Sequence, residues 1–304
     1  MDIVLILGND RLSLTQLSVK GSKIKIIDST TMKYRGINES LGSAEAATDF
    51  LKSLFDTEKV SENKFYVVFA PGSGLAYKTW QSAAASFNDV TDKTFEAKEE
   101  RILALCMDNI PDGLTLLHDR YVTSVVSCYE DDTSTVTSAY IPYLYLENLK
   151  AACSAVAITL FKVSDVASSL KNIVNVSDGQ VFLESNRLIC AFNEFGAMAW
   201  LIPANRTDNM VDIFASMTEK FFPLQNAVRY SRWAKVEKSF DYLKITLSGA
   251  QTGSFEDAVI AAGCVYDAAK AKAAQKNVKQ EDEAKEGGGK ENVISKLRKL
   301  FKKK

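Results

Sequence analysis

The chain has 304 residues, 46% of them apolar and 25% charged, proportions that exclude a collagen, a wholly disordered chain and a disulfide-stapled mini-domain. Thirty-seven Lys and Arg against 38 Asp and Glu give a net charge of −1, an average that suggests no affinity for nucleic acid or lipid. The average conceals an asymmetry: residues 270–304 hold 12 basic and 5 acidic side chains, net +7, so residues 1–269 hold 25 and 33, net −8.

The first 30 residues alternate as strands do: IVLILG, a polar turn at Asn9 and Asp10, LSLTQLSV, a turn at Lys20-Gly21, then KIKIID. This predicts a β-meander. A helix is expected over 43–55, where Ala46, Phe50, Leu51, Leu54 and Phe55 share one face behind a Ser43-x-Glu45 start. KFYVVFAPGS reads as a buried strand stopped by Pro71-Gly72. Residues 79–132 change texture, with a charged helix candidate (FEAKEERILALCMDNI), a strand pair (LTLLHDRYVTSVVSCYE) and no glycine between Gly74 and Gly113; they are read as a small inserted subdomain. From Ser138 the pattern gives strand, helix, short strand and helix, the rhythm of an α/β domain.

At Gly179 the meander returns as QVFLES, a turn at Ser185-Asn186, RLICAF, a turn through 193–196, and AMAWLIPA. A helix (MVDIFASMTEKFF), a strand with a glycine turn (YLKITLSGAQTG) and a further helix (FEDAVIAAGCVYDAAKAKAA) follow. Two meanders half a chain apart predict a duplicated α/β lobe, against the alternative of coincidence between short amphipathic strands. The expected division is a first lobe over 1–78 and 133–177, the insertion over 79–132, and a second lobe over 178–270.

Residues 271–290 are polar, with three glycines at 287–289, and read as a flexible linker. In the last stretch, 291–304, Val293, Ile294, Leu297, Leu300 and Phe301 form one apolar stripe on a helix, flanked by Lys296, Arg298, Lys299 and the terminal lysines. About 20 Å of helix at ~1.5 Å per residue suits lying on a bilayer and not crossing it. Those eight residues are the candidate membrane-binding set. A solubilising lysine tail and a helix that docks in a partner's groove are the alternatives. Nucleic acid is not expected, because the acidic body repels phosphate and no aromatic platform accompanies the basic residues.

The chemistry is narrowed by scarcity. His118 is the only histidine, too few for a Ser-His-Asp triad or a multi-histidine metal site. Five cysteines (Cys106, Cys128, Cys153, Cys190 and Cys264) are odd in number, widely spaced and nowhere C-x-x-C, which predicts buried reduced thiols and a cytoplasmic setting. The opening MDIVLILGND places an acid before a short apolar stretch, unlike a signal peptide.

The order of elements resembles the FtsA/PilM group of bacterial actin-like proteins. VVFAPGSGLAYKTW (67–80) is similar to the group's V-P-G-S strand and turn, AKEERILALCMDNIP (97–111) to its E-x-x-x-I-P helix end, and ITLSGAQTGSFEDAVIAAG (245–263) to its adenosine-side strand, glycine turn and helix. The resemblance covers 1–270 and implies an α/β, actin-like (ribonuclease H-like) two-lobed fold with a small subdomain inserted in the first lobe. It implies ATP and magnesium as the cofactors to test, with Gly8, Asp10, Glu184, Gly249 and Gly253 as candidate nucleotide contacts. It also shows departures. Where the group carries D-x-G then lysine, this chain has Ile6, Gly8 and Ser13, and the second hairpin offers Glu184-Ser185-Asn186. A β-branched apolar residue cannot ligate magnesium, and asparagine is less free than glycine to let backbone approach a phosphate. The linker and basic helix are similar to the end of FtsA-type proteins.

Two readings follow. One is a membrane-apposed scaffold or adaptor, on the inner face of the cell membrane, of a pilus-like, secretion or division machine. It would have no catalytic residues, would take a cytoplasmic peptide of a membrane partner near 71–77 and the insertion, and could self-associate. The other is a functional actin-like ATPase.

Overall fold

The computed structural model describes residues 1–54, 63–82, 117–130, 133–174, 180–184, 188–192, 197–201, 228–232, 246–249 and 255–266, with isolated positions 100, 103, 104, 106, 107 and 113. Three strands open the chain: β1 (Asp2–Leu7), β2 (Arg11–Lys20) and β3 (Lys23–Lys33), antiparallel in sequence order. Helices α1 (Ile37–Ser40) and α2 (Ala44–Leu54) lead to β4 (Lys64–Phe69), which returns parallel to β1. The expected helix is therefore present. Ser43 caps it, its Oγ accepting from the Ala46 N–H at 3.1 Å, and Ala47 rather than Ala46 joins Phe50 and Leu51 on the buried face.

After β4 the chain forms a separate sheet from β5 (Ala76–Ser82), β6 (Arg120–Glu130) and β7 (Thr133–Pro142), in the order β5-β7-β6. Of the strand pair expected within 114–130, the second strand is β6, whose partner is β7, and 114–116 lie outside the described residues. The helix candidate at 95–110 lies largely outside the described residues. Helix α3 (Tyr143–Ala155), β8 (Thr159–Asp165) and α4 (Val166–Lys171) follow, with β8 parallel to β4.

The second meander is β9 (Gln180–Glu184), β10 (Leu188–Phe192) and β11 (Ala197–Leu201), joined by β12 (Val228–Arg232) parallel to β9. Its order, β11-β10-β9-β12, repeats the β3-β2-β1-β4 order of the first sheet. A meander whose first strand takes a returning parallel neighbour, built twice in one chain, is the actin-like two-lobed α/β plan. Strand β12 lacks a signal in the sequence reading. The expected helix MVDIFASMTEKFF lies outside the described residues.

Strand β13 (Thr246–Gly249) and helix α5 (Phe255–Val265) extend the first sheet. β13 pairs parallel with β3, giving the order β13-β3-β2-β1-β4-β8, and α5 lies across β1 to β4. An edge strand such as β3 offers a row of unpaired N–H and C=O groups, and β13 satisfies some of them.

The first sheet is buried on both faces, which is why IVLIL and FYVVF are continuous apolar runs. Ile3, Leu5, Leu7, Phe65, Val67 and Phe69 face α2 and α3 in one core. Val4, Ile6, Tyr66 and Val68 face the other way, into a core shared with α4, α5 and, from the second sheet, Leu188, Cys190, Ala197 and Ala199. Each large apolar side chain so buried contributes about 1.5–3 kcal/mol. No described helix is long and apolar enough to cross a membrane.

Candidate functional site

In α/β sheets ligand sites form beyond the carboxyl ends of the strands. Here those ends are the tip after β1, the Pro71–Gly74 turn after β4 and Asp165 at the end of β8. Of these, Asp165 stands near enough to Cys190 of β10 for its charge to act on the thiol.

The tip after β1 is short. The Gly8 N–H donates to the Arg11 carbonyl at 2.9 Å, and the Tyr34 N–H donates to the Asp10 carbonyl at 2.9 Å, pinning the hairpin to the end of β3. Arg11 turns inward and is buried. Its Nη2 donates to Asp257 Oδ1 at 2.9 Å and to Glu256 Oε1 at 3.2 Å, both in the first turn of α5. Acids in that turn also complement the helix dipole. The other Asp257 oxygen accepts from Thr31 Oγ1 at 2.9 Å. Thr31 reaches it because β3 carries a bulge: Gln16 pairs with Asp28 and Leu17 with Ile26, leaving Ile27 as the extra residue. The bulge shifts the side-chain phase, so Ser29 and Thr31 point to the same face as Ile24 and Ile26. Ile27 itself is left exposed.

Asp165 is a second buried acid. Its Oδ1 accepts the Ser168 N–H at 2.9 Å, capping α4. Its Oδ2 accepts Ser168 Oγ at 2.8 Å, Ser124 Oγ at 2.9 Å and Thr123 Oγ1 at 3.0 Å. Adjacent strand residues ordinarily point to opposite faces. Thr123 and Ser124 both reach one carboxylate because Thr123 is the extra residue of a bulge in β6. The β5-β7-β6 sheet is thereby fastened to the main sheet.

Between these acids lies the second sheet. Burial, then Glu256 and Asp165, push the Cys190 thiol of β10 well above its ordinary value, which keeps it protonated. Tyr77 of β5 is likewise held neutral by burial, Asp165 and Cys190, in that order, while its phenol oxygen accepts the Ala199 N–H at 3.3 Å.

The candidate nucleotide residues are placed as follows. Gly8 and Asp10 share the first hairpin, Gly8 buried and Asp10 exposed. Glu184 ends β9, opposite Ile189 and Arg232. Gly249 pairs with Ile26, Ile26 with Leu17, and Leu17 with Asp2. It is therefore level with the start of β1, about 20 Å along the strands from Gly8 at ~3.3 Å per residue. Its φ is +111°, and a Cβ there would stand 2.0 Å from the Ile26 carbonyl oxygen, so the glycine serves a close backbone approach. Gly253 and the whole candidate membrane set, Val293 to Phe301, lie outside the described residues.

No protein-family model and no curated protein matches the chain. Solved structures similar to it include the cytoplasmic domain of EpsL, an inner membrane component of the type II secretion system of Vibrio cholerae, at 11% identity and a TM-score of 0.42 over 88% of this chain and 96% of that one. A PilM–PilN type IV pilus biogenesis complex is similar at 9% identity and 0.40, over 89% and 96%. The type II variant of the Aquifex aeolicus Ppx/GppA phosphatase is similar at 12% identity and 0.29, over 73% and 56%.

Tested against a magnesium nucleotide, the described residues do not fit. Ile6 packs in the core at 4% exposure, paired with Ser13 and Val68. The described residues hold no cluster of three or more His, Cys, Asp or Glu able to bind a metal ion. Asp165 has its oxygens engaged by four donors, and the Gly8 N–H is spent within its own hairpin. His118 sits exposed on a bend. Four of the five cysteines are buried free thiols, as their apolar settings predict. Sequence reasoning missed Arg11, Asp165, Glu256 and Asp257. Asp165 had a signal in Asp165-x-x-Ser168, a capping pattern.

Proposed function

We propose that this chain is a membrane-associated scaffold or adaptor of a pilus-like, secretion or division machine, with an actin-like body whose nucleotide site is degenerate. One observation carries the reading: Arg11 is bonded to Glu256 and Asp257, and Asp165 to neighbouring hydroxyls and a backbone N–H, where a nucleotide-binding body keeps groups free for phosphate and metal. Two carboxylates bonded to one guanidinium also disfavour a phosphate group there. The choice of machine rests on the sequence resemblance to the FtsA/PilM group.

The membrane end of this proposal is the segment 291–304, reached through the linker 271–290. Val293, Ile294, Leu297, Leu300 and Phe301 would enter the interface, with Lys296, Arg298 and Lys299 against anionic headgroups. Each basic residue contributes roughly 1 kcal/mol there. One copy binds reversibly, and self-association makes further attachments intramolecular. A cytoplasmic peptide of a membrane partner would dock where the turn 71–77 meets the inserted subdomain 79–132.

Calorimetric titration of the full chain with MgATP is expected to give no heat, and micromolar binding with hydrolysis would overturn the degenerate site in favour of the ATPase reading. Replacing Asp10 and Glu184 by alanine would then abolish turnover. Sedimentation with anionic liposomes is expected to pellet the full chain and leave a form ending at Gly289 in solution. Equal pelleting would refute the anchor.

A further inference from the structure

Two described helices sit between the sheets. Helix α4 leaves the first sheet after β8 and packs against β10 and β11, while α5, far later in the chain, lies on β1 to β4 and against α4. In a two-lobed body that opens and closes, such crossings bend or slide. Here each is fastened at its N-terminus to the first sheet and its insertion: α4 through Asp165 to Thr123 and Ser124, α5 through Asp257 to Arg11 and Thr31.

They are also fastened to each other. Asn172 Nδ2, at the end of α4, donates to the Gly263 carbonyl at 3.1 Å. A Cβ on Gly263 would lie 2.1 Å from the Ser169 carbonyl oxygen, so the helices meet backbone to backbone with no room to slide. Beyond the helix, Lys162 Nζ of β8 donates to the Cys264 carbonyl at 3.4 Å.

We infer that α4 and α5 form one clamped block that fixes the two sheets in a single relation, so that the body does not cycle between open and closed lobes. The block gives the scaffold reading a mechanical basis, yet it stands on helix contacts alone and does not require that reading.

The test is amide hydrogen exchange on the full chain at neutral pH. Amides of α4 and α5 are expected to exchange in the same slow class as those of β1, since a clamped block opens only with the sheet beneath it. Exchange of either helix more than about tenfold faster than β1 would overturn the inference, because it reports a hinge opening on its own. Asn172→Ala is expected to speed exchange in both helices together and leave β4 unchanged; acceleration of α4 alone, or of neither, refutes the tie. Gly263→Ala should act in the same direction and further, and the inference does not depend on its folding. If MgATP binds while the slow class is unchanged, the degenerate-site reading falls and the block stands.

Discussion

Replacing Arg11 by methionine removes the cation that, among the described residues, is bonded to Asp257, and keeps most of the side chain's volume. The Arg11 side chain is 11% exposed, that of Glu256 9% and that of Asp257 0%, so solvent screens the network little. Removing one partner of a buried pair costs about 3–5 kcal/mol, because the remaining charge stays desolvated. Here two carboxylates would be left beside each other, with the Thr31 hydroxyl still donating to one of them. At roughly 2–4 °C per kcal/mol for a chain of this size class, the midpoint of thermal unfolding should fall by about 6–20 °C. The assay is urea and thermal unfolding of the full chain at pH 7, with Asp257→Asn made alone and together with Arg11→Met. The double variant should recover more than half of the loss, as expected when the single change strands a charge. A loss below about 1 kcal/mol for Arg11→Met, the range of exposed pairs, would show that the network is a surface feature and that the reasoning is wrong.

Three further outcomes follow from packing and charge. Burial pushes the thiols of Cys106 and Cys153 up from 9.0 to about 12; the unfolded chain therefore sheds these protons first, and stability present below pH 9 should fall as pH rises toward 12, by up to ~1.4 kcal/mol per pH unit for each thiol. Urea midpoints at pH 8, 9.5 and 10.5 measure this, and Cys153→Ala should flatten the slope; an unchanged slope would refute the assignment. Gly249→Ala, forced to φ +111° against the Ile26 carbonyl, should cost at least about 1–3 kcal/mol and raise exchange in β13 and β3, whereas wild-type stability would show that the strand pairing is dispensable. Among the described residues Ser138 buries a hydroxyl with no hydrogen-bond partner, so Ser138→Ala should leave stability unchanged or raise it by about 1 kcal/mol, and a clear loss in the same unfolding assay would contradict that.

The two meanders were legible because side-chain alternation is local, and α2 was legible because Ser43 announces it. Register was not. Nothing local distinguishes Ile27 as the extra residue of a bulge, yet that one residue decides that Thr31 faces Asp257. Arg11 reads in sequence as an ordinary hairpin charge; its role depends on a helix 245 positions away. Gly249 reads as an adenosine-side glycine because a glycine turn between strand and helix has several causes, of which the close Ile26 carbonyl supplies one. Ile6, by contrast, was informative by itself: an apolar side chain at an acidic position announces its burial, and the core contains it.

The annexation of β13 and α5 by the first sheet has a consequence for biosynthesis. Val4, Ile6, Leu17, Ile24 and Ile26 emerge from the ribosome well before Ala258, Ile260 and Ala261, which share their core from more than 230 positions further along. At ~5–20 residues per second the gap lasts roughly 12–50 s, during which an apolar sheet face and the edge of β3 stand uncovered. Nascent chains that stop before Thr246 should be retained by chaperones or aggregate, whatever the fate of the segment beyond Tyr266.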